Sequence, residues 1–492
     1  MHFFSKNALL IAITASALSG CSVMRSYNDE MTQTINLVAK GQPDLAIQTL
    51  DKNNKSSDKD LLYYLEKGQL LRFNNQLKDS SDSWLAANKK VNEWENEAKV
   101  TLSGVSGGVG SVILNDKVRR YDGHDYEKVM LSTQLALDYV LQGNWDVART
   151  EIKKTHEREA IIEQVLAKDY EKQAAESKSK GITTTFKDLK GYPVATLDSP
   201  DVVNLKNGYQ SAFSHYLAGF AYEALNEPSL AAPGYRKAIE LRPGVPALED
   251  GLAGLDSRLA QHKPNTTDLL LVIESGTAPS LTSITIPLPV IVANLGVIPI
   301  SFPILNSDPS NTQPPNLITV DSTTPLTLTE ITSIDAMSRR ALRDDMPGII
   351  LRGIARATAK AVTQKAVSDN AGFLAGLAVN AVNVITESAD ERTWRTLPSS
   401  INITRVALPI GNHEFQLSAG GIVNKKNIEI KGSHGLLLAR VIGNQVFWSE
   451  PQFTEQMPNY IAPPAPEPAE MAKPVEHKKT KKQKHKSTNT GS

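Results

Sequence analysis

The chain has 492 residues, and its 53 Lys and Arg residues equal its 53 Asp and Glu residues, so the formal net charge is zero. This balance argues against a nucleic-acid-binding protein, because such proteins concentrate positive charge. The single cysteine excludes an intramolecular disulfide bond and a zinc–thiolate site. The length suffices for about two or three domains.

The first predicted element is a signal peptide at residues 1–20. An apolar run over residues 8–18 has the length of a signal-peptide core and is too short to span a bilayer. The tetrapeptide Leu-Ser-Gly-Cys that ends at Cys21 resembles the lipobox of bacterial lipoproteins. We therefore expect cleavage before Cys21, lipidation of that cysteine, and a short linker at residues 21–27. The alternative is a chance cysteine beside an ordinary cleavage site.

A lipid on Cys21 would determine where the protein resides. Several acyl chains anchor a protein firmly, whereas one chain binds a bilayer only reversibly. In bacterial lipoproteins the cysteine carries a diacylglyceryl group and often an N-acyl chain, and a following Asp commonly causes retention at the inner membrane. Ser22 follows Cys21 in this chain. The resemblance thus implies an outer-membrane anchor with the body facing the periplasm, and it leaves surface exposure open.

Residues 28–262 have the pattern of an all-α domain built from tetratricopeptide-like helical hairpins. Apolar residues recur at spacings of about three and four, the periodicity of amphipathic helices. Such hairpins need small residues where their two helices cross and large residues where neighbouring pairs pack. The most specific match comprises Gly219, Tyr222, Ala231, Tyr235, Ala238 and Pro243. A second copy comprises Ala136, Tyr139, Gly143, Ala148 and Ile152.

Two weaker copies precede these matches. They comprise Gly68, Leu71, Trp84 and Ala87 in one case and Leu37, Gly41, Ala46 and Leu50 in the other. The copies are not contiguous, so helical hairpins with loop insertions fit better than a regular solenoid, and a generic helical bundle is the alternative. The matched residues are candidates either for packing between repeats or for a partner-binding groove.

Near Thr266 the pattern changes to that of an α+β domain with antiparallel strands, at residues 266–456. The predicted strands are 269–273, 281–286, 401–408, 413–417, 428–431, 436–442 and 445–448. Two central helices are predicted at Ile334–Val367 and Ala371–Thr386, and Pro347 is expected to start or kink the first. The second is apolar nearly all round, which predicts burial between layers.

Cationic groups occur at two places. The Pro- and Lys-rich tail at residues 457–492 has the composition of a disordered segment. Its lysines predict contact with a polyanion such as lipopolysaccharide or anionic lipid, or simply a solubilising end. Arg352, Arg356 and Lys360 follow at four-residue steps on the first predicted helix of the α+β domain. This stripe predicts either an anion contact or a solvated helix face.

The sequence contains no convincing catalytic, cofactor or metal motif. The glycine-rich stretch at 104–110 lacks the Gly-Lys-Ser/Thr of a phosphate-binding loop and fits a flexible connection better. Neither the His-Glu-x-x-His of zinc peptidases nor the Gly-x-Ser-x-Gly of serine hydrolases occurs. We therefore expect a protein that is not an enzyme and that uses neither a cofactor nor a metal ion.

Two segments carry a wider resemblance. One is Tyr-Asp-Gly-His-Asp-Tyr-Glu at 121–127, and the other combines Arg-Thr-Trp-x-x-Leu-Pro at 392–398 with Arg-x-x-Leu-Pro-x-Gly at 405–411. Together with the lipobox and the repeats, they resemble a family of proteobacterial lipoproteins with tetratricopeptide-like repeats, over roughly residues 15–450. Members of that family are encoded near lipoprotein activators of penicillin-binding proteins, which implies envelope or peptidoglycan work by association.

These features favour an envelope scaffold that binds a periplasmic or envelope protein through its repeats. For a scaffold, charge reversal in the groove around Tyr222 and Tyr235 should abolish partner binding. The first alternative is that the α+β domain is an enzyme or ligand-binding module acting on cell-wall or lipid material. A deep polar pocket with carboxylates of shifted pKa would favour it. The second alternative is a subunit of a secretion or surface assembly.

Overall fold

The computed structural model describes residues 26–102, 120–290, 296–307, 314–322, 324–371 and 389–454. The protein is α+β, with a helical region followed by a region of mostly antiparallel strands. Within the described ranges no helix is both long and apolar enough to cross a membrane. The predicted lipid attachment at Cys21, the stretch at 104–110, residues 372–386 of the second predicted helix and the basic tail lie outside the described residues.

The helical region consists of amphipathic helices joined mostly by tight turns. Its helices are α1 (Tyr27–Ala39), α2 (Pro43–Asn53), α3 (Leu61–Phe73), α4 (Leu77–Leu102), α5 (Asp125–Leu141), α6 (Trp145–Lys180), α7 (Val194–Leu197), α8 (Pro200–Val203), α9 (Ala212–Ala224), α10 (Pro228–Leu241), α11 (Pro246–Ala253) and α12 (Leu255–Ala260). Capping residues fix where several of them begin. The side chain of Asp60, for example, accepts a hydrogen bond from the backbone N–H of Tyr63 at 2.8 Å, which satisfies a donor that helix geometry leaves unpaired.

Four helical hairpins within the described residues share the same turn. Each turn has one residue in the left-handed backbone conformation, and these residues are Gly41, Asn75, Gly143 and Asn226. Glycine and asparagine adopt this conformation at the lowest cost. The residue after each turn donates a backbone hydrogen bond of 2.8–3.0 Å to a carbonyl five positions earlier, from Gln42, Gln76, Asn144 and Glu227. This bond is the helix C-terminal motif that closes a hairpin, so the hairpins are structurally equivalent repeats.

Small residues allow the two helices of a hairpin to approach closely. A Cβ atom on Gly219 of α9 would lie 2.7 Å from the ring of Tyr235 on α10, closer than side chains tolerate. Gly68 of α3 has the same relation to Trp84 of α4. The ring of Trp84 is buried, and its indole N–H donates to the carbonyl of Leu65 at 3.0 Å. A glycine facing a large ring therefore defines the crossing point in both hairpins.

The strands form three sheets. In chain order they are β1 (Thr266–Ser275), β2 (Ser280–Val290), β3 (Gly296–Asn306), β4 (Leu317–Val320), β5 (Thr324–Thr327), β6 (Thr329–Ser333), β7 (Ser400–Pro409), β8 (Gly411–Ala419), β9 (Ile422–Ile430), β10 (His434–Ile442) and β11 (Gln445–Ser449). The five-stranded sheet has the order β11-β10-β1-β7-β6, the four-stranded sheet has the order β5-β4-β8-β9, and β2 pairs with β3 alone. A two-residue turn at Gly443–Asn444 joins β10 to β11.

One strand pair departs from the antiparallel prediction. β1 and β10 run parallel, whereas β1 and β7 are antiparallel. The reason is that β8 and β9 form a hairpin in another sheet before the chain returns as β10. β1 and β10 are largely apolar and buried almost throughout, as is typical of central strands covered on both faces.

The five-stranded sheet lies between the helices and the four-stranded sheet. Alternate side chains of β1 point to opposite faces, as strand geometry requires. Leu270 and Val272 belong to the core that the sheet shares with the helical hairpins. Leu271 belongs to a second core with Phe415 and Leu417 of the four-stranded sheet. The protein thus has a helical layer and two sheet layers.

A long helix, α13 (Ile334–Ala371), follows β6. The prediction that Pro347 starts or kinks a helix is corrected in one respect, because α13 already begins at Ile334 and runs on through the proline. The β2–β3 hairpin packs on α13, and a Cβ atom on Gly353 would lie 2.9 Å from the side chain of Ile300. This contact forms a third core around Ile300, Met346 and Ile350.

Candidate functional site

The first helices of three hairpins, α3, α5 and α9, are almost completely buried and face the sheet. All 13 residues of α9 are buried, and nearly all of α3 and α5 are as well. These helices share one core with Leu270, Val272 and Leu436 of the five-stranded sheet. The side of the hairpins where tetratricopeptide-like repeats would offer a groove is therefore filled by strands of the same chain.

The residues predicted for repeat packing or for a groove lie in this interior. Gly219 contacts Tyr235, and the side chain of Tyr235 is 0% exposed. Tyr222 is 5% exposed, and Ala231, Ala238 and Ala136 are completely buried. Tyr139 is partly buried against the same core. These positions fit the packing interpretation, because a partner could not reach Tyr235 without unfolding the hairpin.

Glu66 of α3 is buried and holds an extended part of the chain. It accepts hydrogen bonds from the backbone N–H groups of Arg395 at 2.7 Å and Thr396 at 3.0 Å. The hydroxyl groups of Tyr27, at 2.6 Å, and Thr396 also donate to it. Burial raises the pKa of Glu66 to about 7, and the hydrogen bonds act in the opposite direction. One carboxylate thereby joins the first helix, the third helix and the chain before β7.

Glu127 of α5 is also a hydrogen-bond acceptor for this extended part of the chain, and it binds Thr393 and Trp394. Its carboxylate accepts from the backbone N–H of Trp394 at 2.6 Å and from the hydroxyl of Thr393 at 2.9 Å. The ring of Trp394 is buried edge-to-face against Trp84, with the ring centroids 6.0 Å apart. Segment 393–396 is thus bound by the helices as a peptide ligand would be, although it belongs to the same chain.

A second polar network links α9 to the sheet. Arg405 of β7 donates to Glu223 of α9 at 2.7 Å and to Asp268 of β1 at 2.6 Å. Arg258 donates to Glu223 at 2.7 Å, and the hydroxyl of Tyr235 donates to it at 2.6 Å. Burial alone would raise the pKa of Glu223, but the two arginines outweigh burial and lower it to about 2. Glu223 is therefore a permanent anion with its charge fully compensated.

A group of three possible metal ligands lies inside this network. Oxygen and nitrogen atoms of Glu223, Asp268 and His434 converge within 4.8 Å of one another. The guanidinium groups of Arg405 and Arg258 already bond to these carboxylates, so a cation would meet two positive charges beside its ligands. Burial lowers the pKa of His434 to about 4, which keeps its ring neutral at neutral pH. The cluster is a structural ion-pair network, and its residues do not fit a metal ion.

A third network joins α3 and α5 to β1. Arg72 donates to Glu274 at 2.9 Å and contacts Asp138 at 3.4 Å, and all three side chains are almost inaccessible. Gln134 donates to the other oxygen of Glu274 at 2.8 Å. Burial raises the pKa of Asp138 to about 6, although Arg72 acts against it. Each inner helix thus uses buried polar groups to fix the position of the sheet.

A wide open cleft lies on another side of the molecule. It is a cleft of about 1430 Å³ between the second half of α6 and the first half of α13, closed at one end by residues 181–186. The α6 wall presents Glu163, Leu166, Ala167, Tyr170, Gln173 and Ala174, a single helix face. Tyr170 is 39% exposed. The opposite wall carries the charged groups Arg340, Arg343, Asp344 and Asp345. The cleft thus has an apolar strip beside groups of both charges.

A smaller pocket of about 310 Å³ adjoins the base of the β2–β3 hairpin. His124, Asp345, Arg352 and Asp390 line its polar side. Asp345 is exposed to solvent in this space, and the surrounding protein, together with the charge of Asp125, raises its pKa to about 6. This is a polar pocket with one carboxyl group of shifted pKa.

The predicted cationic stripe does not form one exposed surface. Arg352 is exposed and lines the small pocket, whereas Arg356 is only 6% exposed. The side chain of Lys360 lies outside the described residues. Four-residue spacing placed Arg352 and Arg356 on neighbouring parts of α13, but packing against the β2–β3 hairpin covers that helix unevenly. The interpretation of a continuous stripe is therefore corrected.

Sequence reasoning missed the buried carboxylates. Glu223 is the only Asp, Glu, Lys or Arg residue in α9, and it lies within an otherwise apolar helix. A lone charged residue in a helix that is hydrophobic all round signals a buried pair. Glu66 and Glu127 carry no such signal, because their neighbours in sequence are more polar.

Comparisons with known proteins add little. A scan against protein-family models finds no match, and a search of the curated proteins finds none. Among solved structures, a tetratricopeptide repeat protein from Parabacteroides merdae is similar at 14% identity, over 47% of this chain and 98% of that chain, with a TM-score of 0.13. At that TM-score the likeness carries no argument about fold or function.

Proposed function

We propose that the chain is a lipid-anchored scaffold of the bacterial envelope whose partner binds in the cleft between α6 and α13. The observation that carries this proposal is the contrast between two surfaces. The inner side of the hairpins is filled by the sheet and by segment 393–396, whereas the cleft of about 1430 Å³ is open. A protein partner needs an accessible surface, and the cleft offers one.

The dimensions of the cleft suit a polypeptide. From Glu163 to Lys178 its α6 wall extends over fifteen residue steps, or about 22 Å at the helical rise. That length accommodates about six or seven residues of an extended peptide. Pockets for small ligands are usually smaller, at about 300–1,000 Å³. The mixture of apolar strip and paired charges is also usual in protein interfaces.

The anchor supports the envelope part of the proposal. The Leu-Ser-Gly-Cys motif ends at Cys21, and α1 begins at Tyr27, so the tether between lipid and folded body is short. Membership in the lipoprotein family and a role near peptidoglycan synthesis belong to the same proposal. So does contact of the basic tail with an anionic polymer.

The cleft is tested by blocking it. Ala167 and Ala174 are exposed on the cleft side of α6, so Ala167→Arg combined with Ala174→Arg should fill the space without disturbing the core. Ala160→Arg is the matched control, because Ala160 is exposed on the same helix outside the cleft. Cross-linking in intact envelopes followed by affinity capture should recover a partner with wild type and control but not with the blocked variant. Equal capture by all three would refute the cleft.

The anchor is tested separately. Cys21→Ala should leave the protein unprocessed or in the soluble periplasmic fraction, because the acyl chains can no longer be attached. Membrane fractionation and labelling with a fatty-acid analogue measure both effects. A variant that remained with the outer membrane would show that the lipid is not the main anchor.

A second candidate function is ligand binding in the smaller pocket. The raised pKa of Asp345 beside His124 and Arg352 is the kind of polar site that the ligand-binding alternative requires. Thermal-shift screening with cell-wall fragments and lipid headgroups tests it. Stabilisation that Asp345→Asn removes would support this function, and no stabilisation by any compound would count against it.

A further inference from the structure

The β2–β3 hairpin lies in a long stretch without charge. From Gly276 to Ser307 the sequence has no Asp, Glu, Lys, Arg or His, although charged residues make up 22% of the chain. Residues 287–299 read Pro-Leu-Pro-Val-Ile-Val-Ala-Asn-Leu-Gly-Val-Ile-Pro, with one polar side chain. Water-exposed hairpins normally carry charges, which keep them soluble and prevent edge pairing. The composition of this hairpin therefore indicates a nonaqueous contact.

The protein covers both faces of the hairpin over most of its length, since Leu281, Ser301 and Leu305 are buried on one face and Phe302 is buried on the other. Toward the described end only one face packs against the protein. Ile286 and Ile300, which are cross-strand partners, are 2% and 1% exposed against α13. The next pair toward the tip on the opposite face is Pro287 with Pro299, and both are exposed. The hairpin thus presents an uncharged outer face near its end.

The prolines remove backbone donors from the edges of the hairpin. β2 and β3 pair without a bulge, and a residue lacking an N–H cannot belong to a pair that exchanges two hydrogen bonds. The Pro287–Pro299 pair is therefore a non-hydrogen-bonded pair. In such a pair the backbone nitrogen and carbonyl oxygen of each residue point away from the partner strand. Pro289 and Pro303 have the same parity, so their missing N–H groups would also point outward. The edges near the tip are thus depleted of unpaired donors.

The N-terminal end of the folded body lies beside the base of the hairpin. The side chain of Asn28 donates to the backbone carbonyl of Leu281 at 2.5 Å. Cys21 is six residues before Tyr27, which places a lipid on it within ~20 Å of that point. From the Ser280–Asn306 pair to the Val290–Gly296 pair the hairpin extends over ten residue steps, or ~33 Å. The hairpin is thus longer than the tether, and its base lies beside the start of α1.

These observations favour a bilayer over a second copy of the chain as the surface that the hairpin contacts. A second copy would add strands to the hairpin edges, and edge prolines oppose such pairing. Unpaired N–H groups are costly in lipid, and proline has removed those of positions 287, 289 and 299. The outward carbonyl groups remain and need water or lipid headgroups, so the boundary between headgroups and acyl chains suits the hairpin better than the hydrocarbon core.

We propose that the β2–β3 hairpin, through its exposed pair Pro287 and Pro299, inserts into the headgroup–acyl boundary of a phospholipid bilayer and orients the tethered body on it. The proposed anchor at Cys21 serves only to bring the hairpin near a membrane, so the hairpin itself is tested without that anchor. The chain that starts at Ser22 has no cysteine, which allows a single cysteine-linked probe to be placed at will.

The first experiment attaches an environment-sensitive fluorophore at Pro287→Cys in the unlipidated chain. Vesicles of phosphatidylethanolamine and phosphatidylglycerol should shift its emission to shorter wavelength, and a quencher on the lipid acyl chains should reduce the signal. Pro325→Cys is the matched control, because Pro325 is an exposed strand proline in the four-stranded sheet, and its probe should not respond. No shift at position 287, or equal shifts at both positions, would overturn the proposal.

The second experiment measures vesicle binding. Pro287→Glu combined with Pro299→Glu should weaken co-sedimentation roughly tenfold, a difference of about 1.4 kcal/mol, whereas Pro325→Glu should bind as wild type does. Circular dichroism confirms that each variant is folded. Wild-type binding should persist at ~0.5 M salt, where charge interactions are screened within ~5 Å. Loss of binding in salt would show electrostatic contact only and would also overturn insertion. The Cys21→Ala result is independent of both experiments.

Discussion

Replacing Glu66 with glutamine tests how the helices hold segment 393–396. Glutamine has nearly the same shape, but its amide nitrogen donates hydrogen bonds and cannot accept them. In the structure one carboxylate oxygen accepts from Tyr27 and Arg395, and the other accepts both donors of Thr396. Whichever oxygen becomes nitrogen, two donors lose their acceptor, and at least one of them is a buried backbone N–H.

The expected loss follows from these contacts. A buried donor without an acceptor costs about 1–3 kcal/mol, and a lost hydroxyl bond costs about 1 kcal/mol. Removing the buried charge offsets little at neutral pH, because the raised pKa already leaves a large share of Glu66 protonated. We therefore expect Glu66→Gln to lower the free energy of unfolding by ~2–4 kcal/mol.

The assay is urea unfolding of the unlipidated chain, followed by far-ultraviolet circular dichroism and by tryptophan fluorescence, to which the buried Trp84 and Trp394 contribute. Glu249→Gln, on the exposed side of α11, is the control and should change stability by less than ~0.5 kcal/mol. Because folding raises the pKa of Glu66, wild type should lose stability as pH rises from about 4.5 to 7, and the variant should not. A Glu66→Gln protein as stable as wild type at pH 5 would refute the reasoning.

Three further predictions concern packing, pH and turns. Gly219→Ala should lower stability by about 1–3 kcal/mol, measured as a drop in Tm, because the new methyl group would overlap Tyr235; an unchanged Tm would show that the crossing relaxes. Folding lowers the pKa of His434, so wild type should lose ~3 kcal/mol between pH 6.5 and 4 while His434→Gln loses less; equal acid sensitivity would contradict the burial argument. Asn226→Val should destabilise by about 1–2 kcal/mol and Asn226→Gly should not, as urea unfolding would show; equal effects would rule out the left-handed turn.

Local sequence signals predicted the elements of the fold but not their assembly. The strands expected at 401–408 and 436–442 occur as Ser400–Pro409 and His434–Ile442, because β-branched and apolar runs favour strands strongly. The parallel pairing of β1 with β10 could not be predicted, since Leu270 and its partner Leu436 are distant in sequence. Periodicity identifies a buried face but not the element that covers it.

The same limit applies to the partner-binding groove that the sequence predicts on the repeats. Spacing around Gly219 and Tyr235 correctly identified a helical hairpin, yet it could not show that a sheet from the same chain fills the inner side. Glu66 and Thr396 are 330 positions apart. A contact of that separation leaves no local pattern, because neither residue constrains the spacing of its neighbours.

That separation also has a consequence for the order of folding. Glu66 and Glu127 obtain their hydrogen-bond partners only when residues 393–396 arrive, and the inner helices are covered only when β1, β7 and β10 are all present. Non-local contacts of this kind delay the completion of a core. During synthesis the helical half would therefore emerge with hydrated carboxylates and uncovered apolar faces, and it would become stable only after most of the chain had been made. With the signal peptide proposed at residues 1–20, such late completion would favour passage through a translocation channel before the fold closes.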